Sequence, residues 1–265
     1  MEQGASDVWD SGDALERYVG RWSRLVAGAF LKWLGVTPRA RWLDVGCGPG
    51  ALTETILRDA SPLAVTGVDP SEQYIALACA RIKDSRVTLD VGNAMALAAQ
   101  TATYDATVAG LVLNFLPDAD TAVGEMSRVT RPGGLVAAYV WDYAVGMGLM
   151  RKFWDAAVAL DPSAIELDEG RRFPLCRSQP LAQLFSGAGL RQVQVRPLDV
   201  PTVFRDFDDY WNPFLGGQGP APGYAMSLTE ERRATLRERI RSTLPFEPDG
   251  SIHLNARAWT VRGNR

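Results

Sequence analysis

Two hydrophobic periods alternate along the middle of the chain. Short apolar runs at 41–45, 63–68, 86–91, 104–113 and 135–141 read as strands, and between them apolar residues recur every three or four positions, as on one face of a helix. Leu52, Ile56 and Leu57 mark the first helix, and Ile75, Leu77 and Ala78 mark a second over 72–82 with Ser71 as its N-cap; the pattern over 118–129 marks a third. The run at 104–113 is almost continuously apolar, as expected for a strand covered on both faces of a parallel sheet. This strict alternation predicts an α/β fold built on a doubly wound, parallel sheet with right-handed crossovers.

The flanks extend the pattern. Leu15, Tyr18, Trp22, Leu25, Val26 and Ala29 give a helical period over 13–34, which Gly20 and Gly28 weaken enough to allow two helices. Beyond 141, helices are expected over 146–160, 178–188 and 228–244, and alternating strands over 190–198 and 252–261. Residues 202–223 combine Phe204, Phe207, Tyr210, Trp211 and Phe214 with several glycines and prolines, a composition that suits a lid better than a regular element. No repeat, low-complexity tract or linker interrupts residues 1–265, so one domain is expected.

Composition narrows the classes of partner. With 46% hydrophobic residues the chain can bury a large core, and a net charge of -3 with a pI near 5.3 gives no general attraction for nucleic acid or an anionic membrane. The acidic start has no signal-peptide order and no apolar run approaches about 20 residues, so a cytoplasmic protein is expected. The three cysteines, Cys47, Cys79 and Cys176, are widely spaced, form no C-x-x-C pair, and are assigned to packing; no metal is expected.

The chemistry concentrates at Asp44-Val45-Gly46-Cys47-Gly48-Pro49-Gly50, between the first strand and its helix. Glycines at this spacing let a ligand approach the main chain beside a helix N-terminus. Taken alone, Gly46, Gly48 and Ala51 also satisfy the dinucleotide fingerprint, with Asp69 as the acid on the second strand. The wider context separates the two. Asp44 two residues before the first glycine, the third glycine Gly50, Val65 to Ser71 (VTGVDPS), Gly92-Asn93-Ala94 and Arg131-Pro132-Gly133-Gly134 together resemble the class I S-adenosylmethionine-dependent methyltransferases, of the small-molecule type found in ubiquinone and menaquinone biosynthesis.

The resemblance implies a seven-stranded sheet with an antiparallel last strand, a helical cap over 1–36, a cofactor-binding core over 37–145, and an acceptor side over 146–265 that includes the lid at 202–223. It implies S-adenosyl-L-methionine as cofactor and S-adenosyl-L-homocysteine as product. Asp69 would accept the ribose hydroxyls, Gly46 and Gly48 would seat the methionine part with Asp44 near its ammonium, and Pro70 and Tyr74 would flank the adenine. The adenine amine would face Asn93, with Ala94 beside it; Asn93 stands where the family usually has an acid. Leu111 would lie near the sulfonium, and Tyr18 or Arg21 would reach the methionine carboxylate.

The acceptor is expected to be a small apolar or aromatic molecule, methylated at O, N or C, with oligomeric state open between monomer and homodimer. Asn114, Trp141 and Tyr143 follow strands four and five, where a doubly wound sheet binds ligands, and with Phe207, Tyr210 and Trp211 they form the candidate acceptor set. Asp142 and His253, the only histidine, are the candidate bases. Asn114-Phe115-Leu116-Pro117 departs from the N/D-P-P-Y/F motif of enzymes that methylate base or glutamine amino groups. A nicotinamide-dependent reductase and a catalytically silent cofactor-binding protein stand as alternatives, although no Tyr has a Lys four residues on and only Lys32, Lys83 and Lys152 exist.

Overall fold

The computed structural model describes residues 20–217 and 219–265. It comprises two compact units, one of residues 23–141, 175–198 and 258–265, the other of 142–174 and 199–257 with the described residues up to Trp22. The first is a sheet unit. The helix α1 (Arg21–Leu34) leads into β1 (Arg41–Val45), α2 (Ala51–Asp59), β2 (Ala64–Asp69), α3 (Glu72–Arg81), β3 (Val87–Val91), β4 (Tyr104–Gly110), α4 (Ala119–Val129) and β5 (Thr130–Trp141). After α5 (Gly148–Leu160) and α6 (Ser178–Gly187) come β6 (Arg191–Phe204), α7 (Pro220–Ser227), α8 (Glu230–Arg241) and β7 (Ile252–Asn264).

The seven strands lie in the order β3-β2-β1-β4-β5-β7-β6, with β1 to β5 parallel and β7 antiparallel to β5. This is the doubly wound sheet with an antiparallel last strand that the sequence pattern and the resemblance called for. Trp42, Leu43 and Val45 of β1 and Ala106, Val108 and Ala109 of β4 are buried, because helices cover both faces of these central strands. The expected caps are in place: Ser71 Oγ accepts the Tyr74 N–H at 3.2 Å, and Asp118 Oδ1 accepts the Thr121 N–H at 2.9 Å.

Four local expectations are corrected. Gly28 does not split α1, which runs unbroken over its described length. β4 ends at Gly110, three residues early, where Leu111 turns to a positive φ of 61°. β5 starts at Thr130 rather than 135: Tyr104 pairs with Thr130 and Ala106 with Leu135, so residues 131–134 swell out as a bulge, tied down by Arg131 Nε donating to Asp105 Oδ1 at 2.6 Å. Cys79 is exposed, whereas Cys47 and Cys176 are buried as packing residues.

The second unit is built on aromatic side chains. Phe153 of α5 stacks on Phe214 at 4.5 Å, Tyr210 lies 5.6 Å from Phe214 and 5.3 Å from Phe204, and the Tyr210 hydroxyl donates to the Leu149 carbonyl at 2.8 Å. Residues 202–223 are more regular than their glycines and prolines suggest. The end of β6 gives way to a helical turn at Phe207–Trp211, capped by Asp206 Oδ1 accepting the Asp209 N–H at 2.8 Å, then to a tighter turn at Asn212–Gly216 and to α7. The cause is visible in the spacing: Phe207, Tyr210, Trp211 and Phe214 sit at i, i+3, i+4 and i+7, and Pro213 and Pro220 fall at first-turn positions, which tolerate proline. Among the described residues, no helix is long and apolar enough to cross a membrane.

Candidate functional site

The turn after β1 is fixed by backbone bonds to β2. Gly46 and Cys47 donate their N–H groups to the Val68 carbonyl at 2.8 and 3.0 Å. Gly46 and Gly48 both have left-handed backbone, with φ of 70° and 53°, but in different surroundings. A Cβ on Gly46 would stand 2.6 Å from Val112 Cγ2, so a side chain there collides with the segment after β4; a Cβ on Gly48 would meet nothing within 4 Å. Gly46 is therefore required by packing, and Gly48 opens the main chain toward free space.

The two acids of the site are coupled to this turn in different ways. Asp69, at the end of β2, accepts the Gly48 N–H on Oδ2 and the Ser71 N–H on Oδ1, both at 2.9 Å. Burial lifts its carboxyl above the usual range, against the pull of those two amides. Each carboxylate oxygen can accept more than one hydrogen bond, so both retain lone pairs for a ligand. Asp44 is 1% exposed; its Oδ2 accepts the Thr53 hydroxyl at 2.7 Å, while its Oδ1 is buried with no partner. Burial, opposed by the Thr53 bond and reinforced by the Asp69 charge, pushes the Asp44 carboxyl up to about 7. Cys47 is an inert neighbour, its thiol held protonated by burial beside the two acids.

Around this pair the remaining predicted cofactor residues fall on three loops of the same unit. Pro70 is exposed at the end of β2, and Tyr74 occupies the first turn of α3. Asn93 is exposed after β3 with Ala94 buried beside it, and its carboxamide oxygen accepts the Met95 N–H at 2.9 Å, a local turn that orients the side chain. Leu111 holds its left-handed backbone through an N–H donated to the Tyr139 carbonyl at 2.8 Å, a conformation that costs a non-glycine residue about 1 kcal/mol or more. Just beyond it, both polar atoms of the Asn114 carboxamide are buried without a partner. Trp141 is buried within β5, where it pairs with Ala258.

The other predicted residues lie in the aromatic unit. Asp142 is folded into its own loop: Oδ1 accepts the Val145 N–H at 3.2 Å, and its carbonyl accepts the N–H groups of Gly146 and Met147. Tyr143 is buried, its ring 5.6 Å from that of Phe173. Phe207, Tyr210 and Trp211 are buried in the aromatic cluster. His253 is exposed, with Nε2 3.2 Å from Ser251 Oγ. Arg21 is committed to Asp209, Nη1 lying 3.2 Å from both carboxylate oxygens. Tyr18 falls outside the described residues.

Sequence reasoning missed Thr53 and Val112. A threonine in the first turns of the helix after the glycines was the available signal for Thr53; Val112 acts only through its position against Gly46 and left no pattern in the sequence.

A glycine turn at the carboxyl end of β1, with acids on β1 and β2, defines a nucleotide-binding α/β protein. Residues 43–138 match the methyltransferase domain family. The chain is 29% identical over 185 residues to demethylmenaquinone methyltransferase of Bacillus cytotoxicus, covering 63% of this chain and 76% of that protein. It is 28% identical over 178 residues to the Staphylococcus aureus protein of the same name, covering 63% and 74%. Among solved structures it resembles phosphoethanolamine N-methyltransferase 2 of Haemonchus contortus in complex with S-adenosyl-L-methionine, with a TM-score of 0.59, 18% identity, and 97% of this chain and 60% of that one covered. The YcgJ protein of Bacillus subtilis aligns with a TM-score of 0.58 at 17% identity, over 92% and 98% of the two chains. The chain belongs to the class I S-adenosylmethionine-dependent methyltransferases.

Proposed function

We propose that the protein transfers a methyl group from S-adenosylmethionine to a small aromatic acceptor, with the sheet unit holding the cofactor and the aromatic unit contributing to acceptor binding. The observation that carries the cofactor half is the combination at the glycine turn: an unpartnered Asp44 oxygen, an open front at Gly48, and Asp69 held by two backbone amides. These features fit a ligand that brings a cation and a diol. Asp44 Oδ1 would accept from the ammonium, Asp69 would accept both ribose hydroxyls, Pro70 and Tyr74 would flank the base, and Asn93 with Ala94 would meet its amine edge. Leu111 would border the reacting centre.

Bound there, the cofactor supplies an electrophilic methyl on a sulfonium. The chain's own residues then have to align the acceptor and exclude water, a contribution of about 7–11 kcal/mol when orientation is complete. Asn114 is the best-supported acceptor ligand, because a buried carboxamide with neither atom paired costs stability unless a ligand fills it. One hydroxyl on the acceptor would satisfy it, accepting from Nδ2 and donating to Oδ1. The demethylmenaquinone named for the Bacillus cytotoxicus relative points to the same class, a ring bearing oxygen substituents. The arrangement favours orientation over a dedicated base: Asp142 serves its own loop and His253 faces solvent.

S-adenosylhomocysteine should raise the melting temperature, and Asp69→Ala should remove the shift. Methyl-labelled cofactor incubated with fractionated metabolites should label a small molecule. Label confined to polymer fractions would overturn the acceptor class, and no melting shift in the native protein would overturn the cofactor assignment.

A further inference from the structure

The aromatic unit contains a second group of unpaired polar atoms, apart from every residue given a role above except Arg21. Phe204 is its centre. The Trp22 ring meets Phe204 edge-on at 5.4 Å, and the Arg21 guanidinium lies 4.3 Å from the Trp22 ring and 4.9 Å from that of Phe204. Thr202 precedes Phe204 by two residues on β6, so both side chains leave the same face, and both are fully buried while the intervening Val203 is exposed. Trp22 Nε1, Arg21 Nε and Thr202 Oγ1 are all buried without a hydrogen-bond partner.

The chemistry of the three atoms restricts what they can bind. An indole N–H and a guanidinium Nε–H can only donate, and a hydroxyl can donate as well, so the group that matches all three is a hydrogen-bond acceptor. Its charge follows from Asp209, which already neutralises Arg21 through two contacts at 3.2 Å. A carboxylate added here would bring an uncompensated buried charge, whereas an uncharged oxygen would not. The neighbouring surfaces are flat and apolar, formed by Trp22, Phe204 and Tyr210. Building on the methyl-transfer reading above, we infer that Trp22, Arg21 and Thr202 form a subsite for a carbonyl oxygen on an aromatic ring, the part of the acceptor that sets specificity.

The test uses three probes that share one body and differ in oxygen: acetylnaphthalene, ethylnaphthalene and naphthoate, each titrated into the S-adenosylhomocysteine-loaded protein carrying isotope-labelled tryptophan. The Trp22 indole resonance is identified by its loss in Trp22→Phe. The ketone should bind most tightly and move that resonance downfield, and Thr202→Val should weaken ketone binding about three- to tenfold while leaving the hydrocarbon unchanged. An unmoved Trp22 resonance, or equal binding of ketone and hydrocarbon, would mean that trapped water satisfies the three donors and would overturn the subsite. Tighter binding of naphthoate would overturn its assignment to an uncharged oxygen. The melting shift with S-adenosylhomocysteine, read in the same samples, reports separately on the cofactor site, so failure of one is not mistaken for failure of the other.

Discussion

Each unit of the molecule buries one acid whose proton affinity is raised to near neutrality, yet the two acids are not alike. Asp44 in the sheet unit and Glu169 in the aromatic unit are 1% and 2% exposed, and burial pushes both carboxyls up to about 7. Glu169 accepts the Trp154 indole N–H, and neither of its oxygens is a buried atom without a partner. Beside it Arg151 pairs with Asp168, which also accepts the Gly170 N–H at 2.8 Å. Asp44, by contrast, commits one oxygen to Thr53 and leaves the other unmatched. A raised pKa therefore marks burial in both units, and only the unmatched oxygen marks a place for a ligand.

The contrast can be broken most forcefully at Glu169. Glu169→Ala would strip Trp154 of its acceptor and leave a void, lowering stability by about 2–4 kcal/mol in chemical denaturation while leaving cofactor affinity unchanged. A loss of cofactor binding by the folded variant would erase the distinction between the two acids.

The pH dependence is next in size. Both acids bind protons more tightly folded than unfolded, with reference values of 3.8 and 4.5. Their contribution to stability is therefore fully present below about pH 4 and declines as the pH rises toward 7. The decline amounts to a few kcal/mol in all, at about 1.4 kcal/mol for each pH unit that separates folded from unfolded titration. Denaturation midpoints should show it. Asp44→Asn and Glu169→Gln should each remove part of it, and saturating cofactor should flatten only the part due to Asp44.

Asp44→Asn should weaken cofactor binding about 10- to 100-fold, the loss of one charge-assisted hydrogen bond, without destabilising the protein at pH 8. Titration calorimetry reads the affinity directly; an unchanged affinity would make Asp44 as structural as Glu169. The smallest effect on stability is expected at Gly48→Ala, about 1–2 kcal/mol for a left-handed alanine with nothing to strike, accompanied by impaired cofactor binding. Gly46→Ala should cost more, since it adds the Val112 collision to the same backbone penalty.

Much of the sheet unit was legible because its signals are local. Apolar runs separated by helical periods marked the parallel strands, Ser71 and Asp118 announced the helices they cap, and the motifs from Asp44 to Gly134 pointed to the family. What escaped depends on contacts between distant residues. Pro132 and two glycines read as a stop, but the strand passes through them as a bulge because Arg131 reaches Asp105. Glu169 stands in a polar, turn-rich stretch, and its burial arises from Trp154, 15 residues earlier. The helical spacing from Phe207 to Phe214 was present in the chain but masked by the glycines and prolines around it. The Asp44–Thr53 bond and the unpaired Asn114 carboxamide are properties of three-dimensional packing, which the order of residues does not display.

The placement of β7 has a kinetic consequence. It follows β6 in the chain but lies between β5 and β6 in the sheet. During synthesis β5 thus keeps one unpaired edge, and β6 has no neighbour to join, until residues 252–264 have emerged past the whole intervening stretch 205–251. Pairing across such a separation is slow, and an open apolar edge is a template for association with other chains. The step that completes the sheet is therefore where temperature, translation speed and chaperones should most strongly govern how much of the protein reaches its folded form.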